Sequence, residues 1–314
     1  MSLHVIIGAG PVGSALARLL ADRGEEVRVI TRSGKGPAHN GIRLLAADTT
    51  DAAALAEHAR GAVALYSCAG PAYHRWATEW PPLGAAMVRA AEITGAVLVS
   101  TGNLYGYGPV DGAMTEDLPL RPTSVKGRVR ADLWSAALAA HEAGRIRTTE
   151  VRGSDYLGAG TTSPFSVLVL PKVLAGRVAS VPADIDAPHS WTQVSDVANL
   201  LAVVAADEKA WGRPWHVPTA APLSIRTLAE RTAELAGASR ARVRTMPGLL
   251  LRLAGLFDPM AREMIEIQYQ LRKPFVLDSS AATAAFGIEP SPVEAGLREM
   301  ITAARDSATP LSGR

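Results

Sequence analysis

Residues 8–13 read Gly-Ala-Gly-Pro-Val-Gly, a spacing that lets backbone lie against a pyrophosphate. Gly8 permits a tight turn, Gly10 leaves room for the phosphates, and Gly13 lets a helix pack closely on a strand. Pro11 and Val12 begin that helix, whose free N–H groups and positive dipole end attract an anion. The apolar run Leu3–Ile7 precedes the loop and a second apolar run, Val27–Ile30, follows the helix. The second run closes Thr31-Arg32-Ser33, with Lys35 nearby and no acid before His39. An Asp or Glu there would accept from a ribose hydroxyl and repel a phosphate, whereas a guanidinium clamps a 2′-phosphate. The cofactor expected is therefore NADP(H). NAD(H) is the alternative if Arg32 and Lys35 are only solvated loop charges.

A second group of residues could move protons. Lys126 and Arg130 lie four apart in KGRVR, so on a helix they share one face. Such a pair could donate a proton to a developing alkoxide or stabilise it electrostatically. Both could equally be exposed charges on a dead site. Tyr269-x-x-x-Lys273 has the bare spacing of a tyrosine–lysine pair but lies in the last third of the chain, and we read Tyr269 as part of a substrate-domain helix. No His, Cys and carboxylate cluster has metal-ligand spacing, so no metal is expected. Ser100 and Ser154 lack the Gly-x-Ser-x-Gly setting of a hydrolase nucleophile.

The elements that would hold these groups alternate regularly in the first half. Strands are expected at Leu3–Ile7, Val27–Ile30, Ile42–Leu45, Val63–Tyr66, Val97–Ser100 and Thr149–Arg152. Helices are expected over 12–23, 51–59, 81–94 and 124–143. Strand–helix alternation of this kind predicts an α/β fold, a doubly wound parallel (Rossmann) sheet covered on both faces. Beyond residue 152 the rhythm gives way to loops rich in Gly, Pro and Ser. The division expected is a dinucleotide-binding domain over 1–152, with a return segment near 190–217, and a smaller substrate domain over 153–314.

Composition bounds the partners. A formal charge of +2 over 314 residues argues against a nucleic-acid surface, which clusters Lys and Arg. The single cysteine, Cys68, excludes an internal disulfide and fits a reducing cytoplasm. The apolar stretches are cut by charge or proline, so no membrane span is expected.

Several segments together resemble the extended short-chain dehydrogenases/reductases, the nucleotide-sugar epimerase and dehydratase group. They are LLAADTTD, Ala64–Gly70, VLVSTGNLYGYGPVDGAMTEDLPLRP, HSWTQVSDVANLL and FVLDSSAATAAFGIEPSPVEAGL. The resemblance implies that Asp48 contacts adenine and that Ala69 and Gly70 line the cofactor. It puts Thr101 on the hydroxyl that binds the reacting oxygen. Asn103, Tyr107 and Tyr156 would face a small-molecule substrate, and Tyr105 is a candidate replacement acid. A homodimer is also implied. Where the family carries its catalytic Tyr-x-x-x-Lys, this chain carries Lys126 and Arg130. The activity implied is an atypical NADP(H)-dependent oxidoreductase, redox isomerase or epimerase acting on a carbonyl. The alternative is a catalytically silent NADP(H)-binding regulator or scaffold.

Overall fold

A computed structural model describes residues 1–247, 251, 257 and 259–308. The remaining positions of the expected second domain, 248–250, 252–256, 258 and 309–314, lie outside the described residues.

The first half builds β1 (Leu3–Ile7), α1 (Pro11–Asp22), β2 (Glu26–Thr31), β3 (Ile42–Ala46), α2 (Ala52–His58), β4 (Ala62–Ser67), α3 (Trp76–Thr94) and β5 (Val97–Asn103). It continues through β6 (Ala113–Met114), α4 (Val125–Glu142) and β7 (Thr148–Gly153). Beyond these lie β8 (Asp155–Leu157), α5 (Leu170–Leu174), β9 (Val178–Val181), β10 (Trp191–Gln193), α6 (Val194–Ala206), β11 (Pro214–His216) and α7 (Ile225–Ala236). The main sheet is parallel, with strand order β11-β7-β5-β4-β1-β2-β3. Its strands alternate their apolar side chains between two covered faces. Ile6, Val27 and Val29 pack under α1 and α6 through Leu16, Leu20 and Leu201, whereas Val5, Ile7 and Leu65 meet Leu55, Leu83 and Met87 of α2 and α3. This explains the near-continuous apolar runs in the sequence.

Strand order reverses at β1, which lies between β4 and β2, and open α/β sheets bind ligands at such a switch point. Register brings the three carboxyl ends level, since Ile7 pairs with both Ile30 and Ser67. The crossover bonds Gly8 N–H to Ile30 O at 2.9 Å and Cys68 N–H to Ile7 O at 2.9 Å fix the loops that leave this edge. The return segment supplies β11 to the sheet and α6 to the face covered by α1. Residues 155–157, 178–181 and 113–114 enter two-stranded pairs with β10, β12 (Arg242–Thr245) and β13 (Val276–Leu277), respectively. Among the described residues, no helix is long and apolar enough to cross a membrane.

Two boundaries differ from expectation in ways that matter to the site. The third helix was expected over 81–94, yet α3 begins at Trp76 and carries Pro81 and Pro82 inside it. Burial of Trp76 and Trp80 against the core outweighs the lost backbone bonds. The fifth strand runs on through Asn103, which places Thr101 and Asn103 on rigid sheet rather than on a loop.

Two buried histidines set an acid limit on the fold. His4 Nδ1 lies 3.0 Å from the Tyr66 hydroxyl, and His216 is enclosed beside Glu116 and Asp278. Burial holds both imidazoles below their ordinary value of 6.5, although Glu25 and Glu116 oppose the shift. Below pH 6.5 the unfolded chain therefore takes up protons that the folded chain resists. Stability is whole above that pH and is lost as pH falls. The urea midpoint at about pH 5.5 is expected to fall below that at about pH 7.5.

Candidate active site

Above the carboxyl edge lies one elongated cavity of about 730 Å³, the size expected of a ligand site. The glycine loop forms its middle. Gly8 has φ of +101°, and a Cβ there would sit 2.6 Å from the backbone of Ala69. A Cβ on Gly13 would sit 2.1 Å from Gly8 O, so α1 and the turn depend on both glycines. Gly10 differs, because its absent Cβ would point into open space with nothing within 4 Å. No side chain caps α1, which leaves its N-terminal N–H groups facing the cavity with Pro11 and Val12 on its wall. This is a fitting cradle for a pyrophosphate.

At one end, Thr31, Arg32 and Asp48 line the cavity. The Asp48 carboxyl lies below the usual carboxylate range, because it accepts from the Thr50 backbone N–H and hydroxyl and faces the Arg32 charge. Lys35 is outside the lining, and its carbonyl accepts from the Thr31 hydroxyl at 3.0 Å. Ala69 and Gly70 stand opposite the glycine loop.

At the other end, the structure gathers Thr101, Asn103, Tyr105, Arg130 and Tyr156 as lining residues. Thr101 Oγ1 lies 3.5 Å from Cys68 Sγ, and burial pushes that thiol up to about 12. Arg130 reaches over from α4, stacks on Trp80 at 4.3 Å and Trp76 at 4.9 Å, and donates to Thr101 O at 3.2 Å. Burial lowers its pKa from a very high value, against the pull of Glu150. Its Nε has no hydrogen-bond partner, nor does Nε2 of Gln270, another buried lining residue. The Tyr156 hydroxyl donates to Gly102 O at 3.1 Å, which fixes its ring against the wall.

Besides Lys35, the expected catalytic Lys126 and substrate-facing Tyr107 also lie elsewhere. Lys126 is only 2% exposed and behind the cavity. Its ammonium pairs with Glu263 and, at 2.7 Å, with Glu266, both on the helix Pro259–Ile267. Glu266 also accepts from the Lys126 backbone N–H at 2.8 Å, so it caps α4 alongside Ser124, whose hydroxyl accepts from Gly127 N–H. Helical spacing correctly places Lys126 and Arg130 on one side, but the acids draw the lysine away from its neighbour. Tyr107 is 2% exposed and outside the lining. Its hydroxyl accepts from Arg152 at 2.7 Å and bonds His216 Nε2 at 2.8 Å, in a buried network anchored by Glu150.

The sequence reading missed Tyr73 and Asp155. Tyr73 lies in a short turn of helix before α3, with its hydroxyl 2.8 Å from that of Tyr105. Asp155 lines the cavity and lies 3.1 Å from His189 Nε2. The aromatic cluster around Trp76 was the only available signal for Tyr73. Among the described residues, no group of three His, Cys, Asp or Glu could hold a metal ion.

Lys126→Met should act on stability. It strands two carboxylates that are themselves partly exposed, and is expected to cost about 2–4 kcal/mol in urea unfolding while leaving nucleotide affinity near the parent value.

The comparisons agree with this geometry. No curated protein sequence matches the chain. Among solved structures, MoeE5 in complex with UDP-glucuronic acid and NAD is 21% identical at a TM-score of 0.78, with 98% of this chain and 100% of that one covered. The dTDP-glucose 4,6-dehydratase of Bacillus anthracis with NAD is 16% identical at a TM-score of 0.78, covering 98% of each chain. The UDP-glucose 4-epimerase of Thermus thermophilus with NAD is 18% identical at a TM-score of 0.75, over 98% of this chain and 100% of that one. At such identities these structures speak for the fold. The family model described as NAD dependent epimerase/dehydratase matches residues 4–217, and the chain therefore belongs to the NAD-dependent epimerase/dehydratase family.

Proposed function

We propose that the protein is an NADP(H)-dependent oxidoreductase or epimerase acting on a small-molecule carbonyl. The observation that carries this reading is continuity. One cavity joins Arg32, the open face of Gly10 and the Thr101 hydroxyl beside Arg130. The neighbours with this fold were crystallised with NAD, which supports a nicotinamide dinucleotide here. A bound nicotinamide would supply or accept a hydride at the substrate carbon. The protein's own part is positioning and charge. The α1 N-terminus and glycine loop would hold the pyrophosphate, and Arg32 the 2′-phosphate. Thr101 would hydrogen-bond the reacting oxygen, with Arg130 stabilising negative charge that develops on it. Trp76, Trp80 and the sheet edge keep that guanidinium in a fixed, poorly hydrated place, where its field is strong.

A catalytically silent NADP(H)-binding regulator is the second reading. It is favoured by Lys126, which stands where relatives of this type carry their proton-transferring tyrosine and is engaged with Glu263 and Glu266. Consumption of NADPH with a panel of small aldehydes and ketones separates the two. Turnover sustains the first reading, and none on any member of the panel sustains the second.

Two binding results are expected. NADPH should bind more tightly than NADH, by about 1.5–3 kcal/mol for one dominant charge-assisted phosphate contact, and Arg32→Ser should erase the difference. Fluorescence titration measures both, and equal parent affinities would defeat the assignment. Gly10→Val should fold with parental stability, because its side chain meets only open space, yet lose both nucleotides. Native affinity in that variant would put the cofactor elsewhere.

A further inference from the structure

We propose that Tyr73 is the proton-transferring acid of this site and that Tyr105 is its positioning partner, an assignment that rests on the oxidoreductase reading above. The position where a tyrosine would serve in relatives is taken by Lys126, which faces Glu263 and Glu266. The cavity nevertheless carries phenols. Tyr73 is half-buried on its wall, and Tyr105 is nearly enclosed behind it, with the two hydroxyls 2.8 Å apart. Both sit within the field of Arg130, whose guanidinium is anchored on the Thr101 carbonyl at 3.2 Å. An acid, a cation and an oxygen-binding hydroxyl therefore share one end of the cavity.

Neighbours hold the Tyr73 ring in place. It lies 4.9 Å from the Trp76 ring, while Trp76 Nε1 donates to Pro71 O at 2.9 Å and pins the loop. The Lys126 ammonium sits 5.5 Å from the Tyr73 ring centroid, so the displaced lysine supports the phenol from behind. The Tyr105 N–H donates to Asn103 Oδ1 at 3.1 Å, which ties the second phenol to the end of β5. A Cβ at Gly127 would sit 2.5 Å from Tyr105 O, so α4 closes directly over this backbone.

The two phenols are not equivalent. Burial raises both, but the shared hydrogen bond favours ionisation of Tyr73 and disfavours that of Tyr105. Arg130 lowers Tyr73, whereas Asp155 opposes it. In the reducing direction, a bound reduced dinucleotide would supply a hydride to the carbonyl carbon, and the carbonyl oxygen would take the Tyr73 proton. The product is an alcohol. Tyr105 donates to the resulting Tyr73 phenolate, Arg130 stabilises its charge, and solvent entering the open cavity restores the proton.

Tyr73→Phe is the decisive variant, since it keeps the ring that packs on Trp76 and removes only the hydroxyl. Initial rates of NADPH consumption on the aldehyde and ketone panel should fall roughly a hundredfold or more in kcat, with NADPH affinity unchanged. The parent rate should fall at high pH as Tyr73 ionises. That limb should disappear in Tyr73→Phe and move to higher pH in Tyr105→Phe, which removes the bond that lowers Tyr73. A readout without turnover comes from ultraviolet titration of the ligand-free protein. One phenol present in the parent and missing in Tyr73→Phe should titrate at higher pH in Tyr105→Phe. Parental turnover in Tyr73→Phe overturns the assignment alone. A titration of Tyr73 that ignores Tyr105→Phe overturns the coupling of the pair. A parent silent on the whole panel overturns the oxidoreductase reading, and the catalytic role of Tyr73 with it.

Discussion

Everything at the ligand-binding edge depends on one close approach, that of α1 to the loops leaving β1 and β4. The Gly13 Cα sits under the Gly8 carbonyl, and the Gly8 Cα lies against the backbone of Ala69. Side chains at either position would push the helix N-terminus off the sheet, and with it the unpaired N–H groups that make an anion site. Parallel pairing supplies the rigidity behind this contact. Ile7, Ile30 and Ser67 end level, and bonds from Gly8 N–H and Cys68 N–H carry the register into the loops. Gly10 is held in place by its neighbours while facing nothing, as a cradle requires.

What was legible in the sequence follows from locality. The glycine loop, the strands flanking it and the alternation of β1 through β5 depend on residues near one another, where period and turn chemistry suffice. The family resemblance pointed to Thr101 and Arg130, and both line the cavity. The place of Lys126 was not legible. Its fate depends on Glu263 and Glu266, some 140 residues away, and helical spacing carries no information about which acids cross over to meet a lysine. Tyr107 was misread for the same reason, because Arg152 and His216 come from β7 and β11. The early start of α3 goes with the burial of two tryptophans, which depends on packing partners rather than on local sequence.

Charge balance explains why Lys126 and Arg130 separate in role although they share a helix. An ammonium is compact and strongly hydrated, so burying it calls for close carboxylates, which Glu263 and Glu266 supply. A guanidinium is planar and weakly hydrated, so indole faces and one carbonyl can hold it, as Trp76, Trp80 and Thr101 do. Exchanging the two residue types would leave a lysine on the indole faces and an arginine crowded between acids. The order Lys then Arg suits these two environments.

The same asymmetry shapes the cavity. Because the acids neutralise Lys126 behind the wall, its charge adds little to the field at the reacting end, where Arg130 supplies the positive pole. Asp155 supplies a negative one nearby, backed by His189 at 3.1 Å. If the cavity binds the proposed carbonyl substrate, a field drawn between these groups would favour an oxygen that gains charge close to Thr101 and Arg130. It disfavours a second anionic group placed near Asp155. The indole surfaces of Trp76 and Trp80 exclude water from one side of that field, which lets a single guanidinium act over the short distance to Thr101 without being screened away.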